Sequence, residues 1–194
     1  MNLAVAVSAV MLWPLNECFY YFTDLTMWLT LFTSILLFTC ARDTSIKQKT
    51  GWLALSHALF QSCAIFNTIV LVIYWSLLHQ HTLIKNKNYP GRAIHTYFSH
   101  SFPALSMVLL WWINEIRLYA NHWKGLVLFG GLYNLWNYYC FRTTGVVLYP
   151  FMDWNNIWAP INCVLIALTF TLVYRFLAKA SYWLKPIIKH AKSK

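Results

Sequence analysis

A chain of 194 residues has room for one ordinary domain. It is 59% hydrophobic and only 10% charged. A soluble domain carries about 25% charge, so the composition points to an integral membrane protein. The formal charge of +10 does not make a nucleic-acid binder, because the basic residues fall in connectors and a tail and not in an aromatic-interleaved stripe.

The opening MNLAVAVSAVMLW lacks the basic n-region and cleavage site of a signal peptide and the arginines of a transit peptide. It is also short for a span, which predicts an apolar half-helix packed against neighbours. Five spans follow, over about 20–41, 52–78, 96–116, 125–142 and 157–180, each near the length that a roughly 30 Å hydrocarbon slab needs. Their continuous apolar runs exclude the alternation of a barrel strand. Tyr20, Tyr21, Trp52, Trp75, Trp111, Trp112, Trp154 and Trp158 lie near span ends, as interfacial anchors do. The expected fold is an all-α integral membrane bundle of five transmembrane helices preceded by the half-helix. One domain covers 1–180 and a basic tail covers 181–194. No internal repeat is evident. Cys18, Cys40, Cys63, Cys140 and Cys163 form no C-x-x-C pair, so free thiols are expected.

Lysines and arginines set the orientation. Arg42, Lys47, Lys49, Arg117, Lys124, Lys179 and the tail lysines share one side, against Lys85, Lys87, Arg92 and Arg142 on the other. The positive-inside rule puts the C-terminus in the cytosol or the mitochondrial matrix; endoplasmic reticulum and mitochondrial inner membrane both fit. The tail LKPIIKHAKSK is suited to anionic headgroups or a partner's acidic face.

On this topology the unusual polar residues collect at the less basic face: Thr23 and Asp24, His79 and His81, His95 and His100, Arg142 to Thr144, Asp153, Asn155 and Asn156. An ionisable group inside a span is a functional hypothesis by default; the bland alternative is that these residues cap helix ends. One chemistry that fits is a threonine nucleophile with histidine as general base, acting on a lipid ester. Thr23 with His95 or His100 supplies both parts, and Asp24 could orient the histidine. Metal or haem ligation by His79, His81, His95 and His100 is the weaker choice, lacking the intrahelical spacing of a two-haem bundle, and no metal or cofactor is expected. His57 and His122 lie toward the opposite face as structural histidines, and Glu115 and Arg117 serve as an interfacial pair. Gly130, Gly131, Asn134 and Asn137 on one span supply small and polar residues for helix association.

The stretch Thr144-Gly145-x3-Tyr149-Pro150-Phe151-Met152-Asp153 resembles the T-G-x3-Y-P-F-[LM]-[DE] segment of the androgen-induced gene family, multi-pass proteins that include the androgen-dependent regulator of tissue factor pathway inhibitor. YYFTDLTMWLTLF resembles the family's nucleophile segment, with Thr23 on its threonine. NYPGRAIHTYFSHSFPAL resembles the family's P-G-x3-H-x2-H-T-x3-P connector. The resemblance spans about residues 18–175 and implies a threonine hydrolase of fatty acid esters of hydroxy fatty acids. With Pro90 and Pro103 as anchors, His95 takes the first histidine position, whereas Phe98 occupies the second. His100 stands two residues on, about 200° round a helix.

The leading expectation is therefore a non-catalytic accessory subunit built on this hydrolase fold. It would pack against other subunits of a larger membrane complex, a respiratory complex in a mitochondrion among the candidates. Its premises are the unmatched histidine, the short first helix and the basic tail. The alternative is an active membrane-embedded hydrolase using Thr23, His100 or His95, and Asp24. In either case Arg142, Tyr149, Pro150, Phe151 and Asp153 are expected to contact lipid or partner.

Overall fold

The computed structural model describes residues 3–4, 7, 19–42, 50–114 and 116–184. Helices α1 (Phe22–Arg42), α2 (Thr50–Ile73), α3 (His79–Lys85), α4 (Pro90–Ile113), α5 (Trp123–Thr144) and α6 (Trp158–Leu184) build it, with no strand among the described residues. A π-helical turn, Tyr74–Leu78, joins α2 to α3 without a break, so there are five long helices. Phe22–Arg42, Gly51–Lys85 and Trp158–Leu184 are long and apolar enough to cross a membrane. The other two are diluted by polar residues: Arg92, His95, Ser99 and His100 in α4, and Lys124, Asn134, Asn137 and Arg142 in α5. Residues 3, 4 and 7 of the expected half-helix are helical. The rest of it lies outside the described residues, as do Cys18, Lys47, Lys49, Glu115 and the tail from residue 185. The expected boundary at 180 falls inside α6.

Local chemistry explains the element ends. Pro90 starts α4 at a position where a missing N–H is harmless. Gly145 ends α5 in the left-handed conformation, φ 70°, its N–H bonding the carbonyl of Phe141 at 2.8 Å, a conformation that costs other residues their Cβ clearance.

The helices pack through one main apolar cluster. Ile65, Phe66 and Ile69 of α2 meet Leu126 of α5 and Phe170, Tyr174 and Ala178 of α6. Phe22 wedges into it, edge-on to Phe66 (ring centroids 5.3 Å) and 4.9 Å from the ring of Tyr133. A second cluster, Phe60, Cys63 and Met107, joins α2 to α4. Between α1 and α2 the seam is polar. Thr26, Thr30 and Thr33 are fully buried and bond back to the helix's own carbonyls. Asn67 Nδ2 donates across to Thr30 Oγ1 at 2.6 Å. Such interhelical bonds hold apolar helices together where burial alone supplies no drive.

Gly130 and Gly131 play no such part within the chain, since a Cβ on either would meet no atom within 4 Å. At one end of the bundle, Tyr174 Oη lies 2.6 Å from the carbonyl of Tyr119 and 2.8 Å from Gln61 Oε1, and the Tyr119 ring stands edge-on to His57 and near His122. The opposite end holds the site. Cys40, Cys63, Cys140 and Cys163 are free and buried.

Candidate active site

The first turn of α1 carries the two residues that looked out of place in an apolar helix. Neither caps it. The N–H of Phe22 is accepted instead by the Tyr149 phenol at 2.9 Å, from a residue 127 positions away. The chain just before α1 is held by α5, with Tyr133 Oη donating to the carbonyl of Tyr20 and Trp136 Nε1 to that of Phe19. The Thr23 hydroxyl is thereby left for another partner. It is buried, and it lies 3.1 Å from His100 Nε2.

The imidazole's other nitrogen fixes its role. His100 Nδ1 is 2.7 Å from the carbonyl of Thr96, one turn earlier in α4. A carbonyl only accepts, so Nδ1 carries the proton. In the neutral ring Nε2 then presents a lone pair, and the Thr23 hydroxyl donates to it. Ser99 Oγ lies 3.2 Å from the same Nδ1 and itself donates to the carbonyl of Thr96. The ring plane is set by Tyr74, which stacks on His100 with centroids 3.9 Å apart and planes at 26°. Tyr74 is buried and opens the π-helical turn. Such turns widen the helix by one residue and recur at functional sites.

Thr23, His100, Tyr149 and Leu78 line two cavities at once. One is walled by apolar residues of α2, α5 and α6 and by Phe151. The other is walled by Tyr21, Asp24, His81, Lys85, Arg92, His95 and Thr96 among others. The pair sits on the seam between them.

The expected polar layer is thus gathered only in part. Asp24 and His95 line the polar cavity, whereas the groups hydrogen-bonded to or stacked on the His100 ring are Thr23, Ser99, the Thr96 carbonyl and the Tyr74 face. The carbonyl occupies the orienting position envisaged for Asp24. Phe98 is 45% exposed and turned away from the seam. Phe151 faces the apolar cavity and its carbonyl is held by Asn162 Nδ2 at 2.6 Å. Pro150 and Arg142 are exposed at the surface, and Asp153 turns inward on its own loop, accepting from the N–H of Asn155. His79 stacks on Trp75, stands edge-on to Tyr74 and lines neither cavity. Among the described residues no three His, Cys, Asp or Glu side chains stand close enough to share a metal ion.

Tyr74 and the Thr96 carbonyl were not foreseeable as site groups from residue type. The i−4 spacing of Thr96 to His100 is the one available signal, because side chains reach back to that carbonyl within a helix. Burial pushes the Tyr149 phenol well above its usual range, so it remains a neutral group beside α1.

No family profile, curated protein or solved structure matches the chain.

Proposed function

We propose that this chain is a membrane-embedded threonine hydrolase of lipid esters, such as fatty acid esters of hydroxy fatty acids, with the architecture of the androgen-induced gene family and five transmembrane helices. The observation that carries the proposal is the 3.1 Å contact between Thr23 Oγ1 and His100 Nε2, with Nδ1 committed to the Thr96 carbonyl. A hydroxyl is inert until a base takes its proton, and this geometry has the base already in the competent tautomer.

The steps follow. Thr23 Oγ1 attacks the ester carbonyl carbon as its proton passes to His100 Nε2. The bond to the alcohol oxygen breaks, and that oxygen leaves with the proton from Nε2, giving acyl-Thr23. Water then gives a proton to Nε2 and attacks the acyl carbon, freeing the acid and restoring Thr23. The imidazolium that forms twice is favoured by the Thr96 carbonyl and by the Tyr74 ring face. The N–H groups of Thr23 and Asp24 have no acceptor among the described residues. They belong to the first turn of α1, whose positive end suits the developing oxyanion.

The accessory-subunit expectation takes a lost dyad as its first premise. The contact with His100 supplies the base which that premise lacks, and the remaining premises concern residues that lie mostly outside those described. The hydrolase is therefore the reading we adopt.

The test is turnover of a branched lipid ester by the detergent-purified chain. Thr23→Ala should lower it by about 10⁴-fold with an unchanged fold. Wild-type turnover in that variant would end the proposal.

A further inference from the structure

We infer that the apolar cavity holds the acyl arm of the ester and the polar cavity its leaving alcohol arm, with Gly130 gauging the acyl chain length. This rests on the hydrolase reading. It starts from a fact about placement: Thr23 and His100 line both cavities, so an ester carbonyl at Thr23 must send one arm into each.

The order of the steps decides which arm goes where. The alcohol departs first, and water must then reach the same carbon from the position the alcohol vacated, where His100 can take its proton. Water reaches a cavity walled by Asp24, His81, Lys85 and Arg92 far more readily than one walled by Ile69, Val70, Leu126 and Phe170. An acyl arm in the polar cavity would block that water, and an alcohol arm in the apolar one would leave no route for it. The retained arm is therefore the hydrocarbon chain, lying among α2, α5 and α6.

Gly130 belongs to the wall of this cavity. A side chain built there would enter open space, with no atom within 4 Å of its Cβ. A methyl group there subtracts volume from the cavity without meeting a neighbouring atom, a longer side chain subtracts more, and replacing glycine inside a helix favours the helix. The neighbouring Gly131 has the same open surroundings but is exposed and does not line the cavity, which makes it the matched control.

The experiment uses the full chain in detergent micelles and p-nitrophenyl esters from acetate to palmitate. The kcat/KM ratio of palmitate to butyrate should fall at least about tenfold in Gly130→Leu and partway in Gly130→Ala. It should rise in Val127→Ala, which widens the same wall, and hold in Gly131→Leu. An acetate series with lengthening alkyl alcohols should keep its wild-type profile in Gly130→Leu. An unchanged acyl-length profile in both Gly130→Ala and Gly130→Leu would overturn the assignment, as would a change confined to the alcohol series. Wild-type protein that turns over neither these esters nor a branched lipid ester would overturn the hydrolase reading itself, and this inference with it.

Discussion

In the proposed mechanism the step at Thr23 turns on which nitrogen of the facing imidazole carries the proton, and the Thr96 carbonyl decides that, not a carboxylate. The second constraint on the ring is the Tyr74 face. Removing it should leave His100 free to rock about its side-chain bonds. Tyr74→Leu is expected to lower kcat by about ten- to a hundredfold, as a small misplacement of a base does, with KM little changed; Tyr74→Phe keeps the ring and should keep most of the activity. Steady-state kinetics of the two variants side by side would check this, and equal losses in both would refute it. That Thr23 would lie near a histidine was legible from residue type and approximate depth. The choice between His95 and His100 was not, because it depends on helix register. The five-residue step from one to the other turns the ring direction by about 140°, and only the packing of α4 on α1 says which direction points at Thr23. Tyr74 was illegible for a different reason, since its orientation comes from a one-residue widening of the helix that no propensity records.

The elements themselves were easier to read. Expected spans at 20–41 and 157–180 compare with Phe22–Arg42 and Trp158–Leu184, since apolar length dominates there. The third was expected at 96 but begins at Pro90, because its first turns are too polar for hydropathy to see. The connector between α5 and α6 shows why the T-G-x3-Y-P-F-M-D segment has its composition. Gly145 ends a helix, Tyr149 caps another, Phe151 walls a cavity and Met152 is buried. Two substitutions test this division of labour. Tyr149→Phe should leave the Phe22 N–H without its acceptor and lower stability by about 1 kcal/mol, with turnover falling as the first turn of α1 loosens. Gly145→Ala should cost about 1 kcal/mol through the left-handed backbone, with a smaller effect on turnover. Thermal unfolding in detergent, run beside the kinetic assay, measures both.

For the molecule as a whole, the exposed surface is the telling property. Ile35 and Phe38 of α1, Leu109 and Trp112 of α4, and Leu172 and Phe176 of α6 are all more than half exposed, far more apolar surface than a soluble monomer presents. The chain should stay with the detergent-rich phase on phase separation, and its native mass in mild detergent should be that of one 22.8 kDa chain in its micelle. A particle of many hundred kilodaltons with constant companions would instead favour the accessory-subunit role. Helices long and apolar enough to cross a membrane were plain from composition. The arrangement of the helices was not, because in lipid the outward face of a helix is as apolar as the inward one, and hydropathy alone cannot rank neighbours.

The uninterrupted helix from Gly51 to Lys85 has 35 residues, roughly 50 Å at the rise of an α-helix, against a hydrocarbon layer of about 30 Å. In the membrane reading its closing turns stand clear of the acyl chains, and they bring His81, Lys85 and the polar cavity with them to the level of the headgroups. A substrate would then be met in two dimensions. What governs its capture is its mole fraction in the surface, so diluting the ester with inert detergent at constant bulk concentration should slow the reaction.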